Sequence, residues 1–151
     1  MLMDIEIITM SCGHDCWLRT MDYARKCSWR AGSYLASKMQ NNDFESNERV
    51  LIAIKDNRIA GFCTFANQDE LSDEYGFTPF IGFVFVDEKY RGNRISEKLI
   101  DAACNYARQQ NYSKVYLMSG ELGLYEKYGF VKMGEYKTIY DTVDQLFSKN
   151  L

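Results

Sequence analysis

Apolar residues recur along the chain with two different periods, which predicts an alternation of strands and helices. Residues 50–54 and 59–65 are apolar runs typical of strands, and Asp56 and Asn57 between them suit the tight turn of an antiparallel hairpin. Residues 81–86 are nearly all apolar, β-branched or aromatic, which is typical of a strand buried on both faces. Further strands are predicted at residues 5–9, 115–118, 130–133 and 136–140, and helices at residues 15–26, 29–39, 95–107, 122–128 and 143–149.

The middle of the chain predicts two parallel strands. Strand 81–86, helix 95–107 and strand 115–118 follow one another, and a helical crossover of this kind makes its flanking strands parallel. Pro79 is the only proline, and it favours a sheet edge or the start of a strand. Because no repeat, low-complexity tract or linker divides them, residues 1–151 are expected to form a single domain with a mixed α/β fold.

Composition and charge exclude several classes of protein. Hydrophobic residues make up 46% of the chain and charged residues 26%, which excludes a natively unfolded chain. The net charge of -3 leaves no positive excess for a phosphate backbone, so nucleic acid is not an expected partner. No apolar stretch approaches the ~20 residues of a membrane span, and no secretory signal is recognisable. We therefore expect no membrane association and a cytoplasmic location.

The chemically informative segment is residues 86–96, with the sequence VDEKYRGNRIS, which joins a buried strand to an amphipathic helix. A helix N-terminus binds anions through its free N–H groups and positive dipole end, and Gly92 lets the backbone approach a phosphate closely. Arg91, Arg94 and Lys98 add countercharge, although these residues alone also fit a solvated connection. The patterns G-x-x-x-x-G-K-[ST] and G-x-G-x-x-G are absent, which excludes a P-loop NTPase and a dinucleotide-binding Rossmann domain.

A second informative segment is residues 123–130, with the sequence GLYEKYGF. Together the two segments resemble the GCN5-related N-acetyltransferase (GNAT) family, whose FYEKYGF helix and turn the second one matches. The family's acetyl-CoA pyrophosphate loop follows the pattern Arg/Gln-x-x-Gly-x-Gly/Ala after a central strand, and RGNRIS at residues 91–96 stands at that place. Arg91 matches the pattern, Arg94 stands at the usual second glycine, and Ser96 takes the final small position.

The resemblance covers essentially the whole chain and implies a GNAT-like acyl-CoA N-acyltransferase fold with a central, splayed parallel strand pair. It implies an enzyme that moves the acetyl group of acetyl-CoA, its co-substrate, to a primary amine by direct attack in a ternary complex. Tyr125 is the implied general acid, because a phenol of pKa about 10 stays protonated at neutral pH and can protonate the departing thiolate. The backbone of Phe85 and Val86 is expected to align the pantetheine and the thioester carbonyl. The residues implied to hold the pyrophosphate are Arg91, Gly92, Asn93, Arg94, Ile95 and Ser96.

The sequence leaves the amine acceptor and the general base open. A polyamine, an aminoglycoside, an amino acid, or the amine of a peptide or protein each fits. Glu70, Asp73 and Glu74 are candidates for the base and for attracting a cationic amine, although an acidic loop is also typical of a solvated surface. The aromatic residues beside this loop either wall the acceptor site or pack at the strand edge. They are Tyr75, Phe77 and Phe80.

Two non-enzymatic functions also fit the sequence. A non-catalytic acyl-CoA-binding regulatory module keeps the fold without turnover, and Arg94 in the loop favours it. A structural or partner-binding domain uses neither acetyl-CoA nor an amine. Cys12, His14 and Cys16 suggest soft-metal ligands, but three neighbours do not close a tetrahedral site, so no metal is expected. Exposed aromatic residues could also form the surface of a homodimer.

Overall fold

The structure is a computed structural model, which describes residues 4–151. Its strands form one sheet in the spatial order β1-β2-β3-β4-β5-β7-β6, and all neighbours are antiparallel except β4 and β5. The elements are β1 (Glu6–Met10), α1 (Trp17–Lys26), α2 (Ala31–Gln40), β2 (Arg49–Lys55), β3 (Arg58–Ala66), β4 (Phe80–Val86), α3 (Ile95–Gln109), β5 (Lys114–Ser119), α4 (Leu124–Lys127), β6 (Val131–Lys137) and β7 (Val143–Asn150).

The predicted hairpin is confirmed, and its turn explains its register. β2 and β3 pair antiparallel up to Lys55 and Arg58. Asp56 and Asn57 between them have positive φ angles of 51° and 61°. Two consecutive positive φ angles are typical of a type I′ turn, which aspartate and asparagine tolerate better than most residues.

β4 and β5 are parallel, as predicted, but they diverge almost at once. Their register joins Phe80 to Tyr116. On its other side β4 forms a bulge with β3, because Phe83 and Val84 both lie opposite Cys63, and Phe83 has a φ of 49°. A bulge bends and twists its strand. The expectation that this strand is buried on both faces is only partly right, since Phe83 and Val84 are half-buried at the wall of the gap that the divergence opens.

Helices cover both faces of the sheet. α3 packs an apolar stripe that includes Ile95, Leu99 and Ala103 against one face, and these side chains are fully buried. α1 and α2 cover the opposite face with Trp17 and Leu35. Full burial of one large apolar side chain contributes roughly 1.5–3 kcal/mol, so this packing holds the N-terminus of α3 firmly at the end of β4. No helix among residues 4–151 has the length and hydropathy that crossing a membrane requires.

The helix predicted at residues 143–149 is wrong, because these residues belong to strand β7. Val143, Leu146 and Phe147 follow the i, i+3, i+4 spacing of a helical face, which explains the prediction. β7 instead pairs with β5 on one side and with β6 on the other. Backbone pairing along both edges, together with burial of Leu146 and Phe147, outweighs the local pattern.

The two short strands predicted at residues 130–133 and 136–140 also need correction. They form one strand, β6, which ends at Lys137 and pairs with β7 rather than folding on itself. Gly134 lies at an irregularity in this ladder, with a φ of 154°. A glycine inside a strand often marks a bulge. Gly134 interrupts the apolar pattern of the sequence, which is why two strands are predicted, but the backbone pairing continues through it.

Candidate active site

The gap between β4 and β5 opens into a cavity of about 1310 Å³. Most of its charged side chains are grouped towards the two ends of β4, although Glu88, 3.8 Å from Arg91, is an acidic residue at the basic end. Arg91 and Arg94, the basic side chains among the described lining residues, lie beyond the end of this strand. Asp69 lies near its start, because a Cβ on Gly82 would stand 2.9 Å from an Asp69 carboxylate oxygen. A strand rises about 3.3 Å per residue, so the acidic and basic ends are more than 10 Å apart.

The basic end is the loop between β4 and α3, which is folded by its own side chains. Asp87 accepts a hydrogen bond from the Lys89 N–H at 3.0 Å, and the Asn93 amide donates to the Tyr90 carbonyl at 2.9 Å. Gly92 has a φ of 87°, a conformation that glycine adopts without strain. Asn93 is thereby a loop-closing residue and does not line the cavity, whereas the other predicted pyrophosphate residues do.

The loop ends at an uncapped helix N-terminus. α3 has no side-chain hydrogen bond at its N-cap, Arg94, and the first backbone bond back into the helix runs from the Lys98 N–H to the Arg94 carbonyl at 3.2 Å. The N–H groups that precede Lys98 in this turn have no acceptor within the helix. Because Ile95 and Ser96 line the cavity, these donors and the positive end of the helix dipole lie at its basic end.

Arg94 departs from the family pattern in side chain but not in backbone. Its φ of 59° and ψ of 30° are left-handed, the conformation that a glycine at this position adopts freely. Its guanidinium binds the Glu97 carboxylate with two contacts of 2.9 and 3.0 Å, and 75% of the side chain is exposed. The side chain therefore extends into solvent and leaves the backbone turn intact.

Replacing Arg94 by glycine tests this interpretation. We expect Arg94→Gly to retain the affinity for acetyl-CoA within about threefold, because the backbone geometry is preserved and a solvent-exposed ion pair contributes little. Arg94→Val should lower the free energy of unfolding by about 1–2 kcal/mol, since a β-branched residue is strained at positive φ. Calorimetry and thermal unfolding measure the two effects. A tenfold loss of affinity in Arg94→Gly would instead make the guanidinium a ligand.

Arg91 binds the end of β4. Its Nε donates to the Val86 carbonyl at 2.9 Å, and its guanidinium lies 5.7 Å from the centre of the Phe85 ring. The next N–H, that of Asp87, donates to the Ala60 carbonyl on β3 at 2.8 Å. Because backbone groups alternate in direction along a strand, the N–H of Val86 points away from β3 and towards the cavity.

Tyr125 lies on α4 and is 5% exposed. Gly123 before the helix and Gly129 after it have φ angles of 81° and 90°, which set the sharp turns at both ends. The phenol packs edge-on against Phe130, with ring centres 6.0 Å apart. Burial raises the pKa of Tyr125 above its usual value, and hydrogen bonding to the Ser119 side chain offsets only part of this rise. The phenol is therefore protonated throughout the physiological range.

The acidic end contains a cluster of carboxylates that comes from three parts of the chain. Burial raises the pKa of Asp69 to about 6, and the negative charge of Asp144 adds to this rise. Burial, a hydrogen bond with Asp144 and the charge of Asp69 raise the pKa of Glu70 to about 8. Crowded carboxylates without a cation between them share protons in this way. Glu121 lines the same end of the cavity.

Only part of this cluster could be recognised in the sequence. Glu70 is a predicted candidate base, and it lines the cavity. Asp73 and Glu74 are exposed in a short 3-10 helix and do not line it. Asp144 was missed because it lies in the segment that was predicted as a helix. No local pattern indicates it, since β7 brings it to the site through pairing between distant strands.

The aromatic wall also differs from the expected one. Phe77 and Phe80 pack with Leu71, Met118 and Leu146 in a small core cluster, so the strand-packing interpretation is right for them. Tyr75 is exposed and stacks on Phe77. Other aromatic residues line the cavity, among them Trp29, Tyr34, Phe83 and Tyr140.

The cysteines and histidine near the N-terminus form no metal site. The His14 Nδ1 accepts a hydrogen bond from the Cys16 N–H at 3.0 Å, so the ring closes the turn before α1. No group of three histidine, cysteine, aspartate or glutamate side chains in the described part of the chain is placed to hold a metal ion.

A mixed sheet that splays at one parallel pair, with an uncapped helix N-terminus at the end of the gap and a buried tyrosine in its wall, is the arrangement of an acyl-CoA N-acyltransferase. The model of the Acetyltransferase (GNAT) family matches residues 7–130. The chain belongs to this family. The predicted family, fold, N-acetyltransferase class and acetyl-CoA co-substrate are thereby confirmed.

Solved structures support the fold. An acetyltransferase from Bacillus anthracis str. Ames, provisionally assigned to streptothricin and solved with acetyl coenzyme A, is 25% identical with a TM-score of 0.58, over 71% of this chain and 64% of that one. A GNAT family acetyltransferase from Elizabethkingia anophelis with acetyl-CoA bound is 19% identical with a TM-score of 0.67, over 97% and 98%. Aminoglycoside 6'-acetyltransferase type Ii is 16% identical with a TM-score of 0.71, over 96% of both chains. No curated protein matches the chain.

Proposed function

We propose that the chain transfers the acetyl group of acetyl-CoA to an amine that carries a second positive charge. The observation that carries this proposal is the acidic end of the cavity, where Asp69, Glu70 and Asp144 lie together, while Arg91 and the N-terminus of α3 lie at the opposite end. The basic end suits the pyrophosphate of the donor, and the acidic end suits a cationic acceptor.

The cytoplasmic location and the homodimer that the sequence analysis considers remain predictions.

The donor is proposed to lie along β4. The pyrophosphate binds the N–H groups at the start of α3, with Arg91, Gly92 and Ser96 around it. The geometry supports this because the helix N-terminus is uncapped and lines the cavity. The pantetheine follows the edge of β4 at Phe85 and Val86, where the Val86 N–H points into the gap. An N–H on this edge is also suited to bind the thioester oxygen as it gains negative charge.

The proposed reaction has three proton transfers, of which Asp69 and Tyr125 each carry out one and solvent accepts the third. Asp69 takes a proton from the substrate ammonium, which leaves a neutral amine. The amine nitrogen forms a bond to the acetyl carbon and loses its second proton to solvent, while the bond from that carbon to sulfur breaks. Tyr125 gives its proton to the departing thiolate and regains one from solvent.

Donor binding is the first test of this proposal. We expect acetyl-CoA and CoA to bind at one site with a Kd well below about 1 mM. A Kd of about 1 mM corresponds to a binding free energy of about 4 kcal/mol, so the expected binding is stronger than this. Arg91→Ala should weaken both by about tenfold, since a charged hydrogen bond to phosphate is lost. Isothermal titration calorimetry measures both constants. Absence of binding at millimolar donor would refute the proposed catalytic role of this chain.

Two amines that differ only in a second amino group test the proposed acceptor class. We expect 1,4-diaminobutane to be acetylated with a kcat/KM at least about tenfold above that of 1-aminobutane at low ionic strength, because the Asp144 carboxylate attracts the second ammonium. The preference should shrink in 0.5 M salt and in Asp144→Asn. Release of free thiol measures both rates. Equal rates for the two amines would show that the acidic end does not select for charge.

The alternative of a non-catalytic acyl-CoA-binding module loses its main support. It rested on Arg94 at a position where the family has glycine. Arg94 adopts the left-handed backbone of a glycine and directs its side chain to Glu97 in solvent. This observation favours an intact donor site, and the buried phenol of Tyr125 beside the cavity favours turnover.

A further inference from the structure

A direct hydrogen bond joins the two segments on which the proposed donor site depends. The Ser96 Oγ and the Tyr128 hydroxyl oxygen are 2.7 Å apart, although they are 32 residues apart in the chain. Ser96 is the second residue of α3, and Tyr128 follows the last residue of α4. Both side chains are half-buried and both line the cavity. The bond therefore spans the gap between the phosphate loop and the helix that carries Tyr125.

The direction of this bond is set by what binds at the basic end. A serine hydroxyl has one proton to donate and two lone pairs that accept. Phosphate oxygens only accept, so Ser96 must donate its single proton to a phosphate in order to contact it. Its bond to Tyr128 must then be one in which Tyr128 donates. Hydrogen bonds arranged head to tail in this way strengthen one another.

Tyr128 is held in place independently of Ser96. Its carbonyl accepts a hydrogen bond from the Lys149 Nζ at 2.7 Å, and its N–H donates to the Tyr125 carbonyl at 3.0 Å. Its ring stands edge-on to that of Tyr125, at 6.0 Å between centres and 83° between planes. The hydroxyl is thus presented to Ser96 by a rigid support that β7 and α4 provide. Removing this oxygen alone leaves the ring contacts intact.

We infer that Tyr128 is a positioning residue for the donor: its hydroxyl donates to Ser96 and thereby orients the Ser96 hydroxyl towards the pyrophosphate of acetyl-CoA. The inference rests on the proposed donor site. In this arrangement Tyr128 acts on the donor pyrophosphate through Ser96. The Tyr128 hydroxyl excludes the alternative orientation of Ser96. In that orientation Ser96 donates its proton to the tyrosine oxygen and presents only lone pairs to the phosphate, which cannot donate a hydrogen bond.

Kinetics with a whole and a truncated donor test this inference. Tyr128→Phe should raise the KM for acetyl-CoA about three- to tenfold, the effect of one neutral hydrogen bond, and change kcat less than twofold. Ser96→Ala should do the same, and the double variant should be no worse than Ser96→Ala alone. S-acetylpantetheine lacks the pyrophosphate, so its KM should be the same in all these variants.

The controls separate the inference from folding and from the proposed function. Tyr136→Phe removes a phenol oxygen from a half-buried tyrosine outside the cavity lining and should leave both KM values unchanged. Additive effects of Tyr128→Phe and Ser96→Ala, an equal rise in KM for S-acetylpantetheine, or a fall in kcat alone would each overturn the inference. If the unaltered protein fails to bind acetyl-CoA, the proposed function fails. If it binds and Tyr128→Phe binds equally well, only the inference fails.

Discussion

Tyr125→Phe is expected to lower kcat about 10²- to 10³-fold while the Kd of acetyl-CoA changes less than twofold. The proposed role of Tyr125 is to protonate the thiolate, and loss of a general acid typically has an effect of this size. The ring stays packed against Phe130 and Phe147, because phenylalanine keeps every contact except that of the hydroxyl. Single-turnover rates and calorimetric titration of acetyl-CoA measure the two quantities.

The pH dependence supplies a second readout for the same residue. Because burial raises the pKa of Tyr125 above its usual value of about 10, the phenol keeps its proton throughout the normal assay range. The rate should therefore show no fall below pH 10 that belongs to Tyr125. Tyr136→Phe, outside the cavity lining, serves as the matched control. A Tyr125→Phe variant with the unaltered kcat would remove the tyrosine from the mechanism.

Local patterns in the sequence were sufficient to find the loop at residues 91–96 and the helix that carries Tyr125, on which the proposed donor site depends. The loop at residues 91–96 and the tyrosine of α4 lie in short contiguous segments, where each residue's place depends mainly on its neighbours. Even the departure at Arg94 is explained locally, because the left-handed conformation belongs to the turn rather than to glycine alone. The same reasoning predicted the hairpin turn at Asp56 and Asn57.

The acidic end of the cavity could not be predicted in the same way, because long-range strand pairing assembles it. Asp144 reaches the cavity only because β7 inserts between β5 and β6. The sequence pattern there is helical, and nothing within the segment opposes that interpretation. Trp29 and Tyr34 reach the cavity from the region of α2, on a different part of the chain. Sequence proximity favoured Glu70, Asp73 and Glu74, but of these only Glu70 lines the cavity, where Asp69 and Asp144 join it.

Asp69→Asn is expected to lower kcat/KM about 10²-fold at pH 8, since a general base contributes an effect of about this size. A carboxylate accepts a proton only when it is ionised, so activity should rise with pH through the pKa of Asp69, about 6. Below this pKa the base is protonated and the rate falls. The variant should lose that ascending limb between about pH 5 and 7. Steady-state rates across this range measure the change.

The same substitution should stabilise the protein, which distinguishes a base from a structural residue. The pKa of Asp69 is about 6 in the folded protein against 3.8 for an ordinary aspartate, so its charged form is less favourable when folded. Well below pH 3.8 the carboxyl is neutral in both states and imposes no penalty. The penalty grows as pH rises to the folded pKa and is constant above it. Partial exposure of the side chain reduces it to about 1–3 kcal/mol.

Asp69→Asn should therefore raise the free energy of unfolding by about 1–3 kcal/mol at pH 8 and by much less at pH 4, which is close to the ordinary pKa of 3.8. Denaturant unfolding at the two pH values measures the difference. Asp73→Asn, an exposed carboxylate of the same loop, is the matched control and should alter neither stability nor rate. A destabilised Asp69→Asn would mean that the carboxylate is held by favourable contacts rather than crowded. The substitution is thus expected to make the protein more stable and less active. This combination is expected where a site keeps an unfavourable negative charge that serves to bind a cationic substrate.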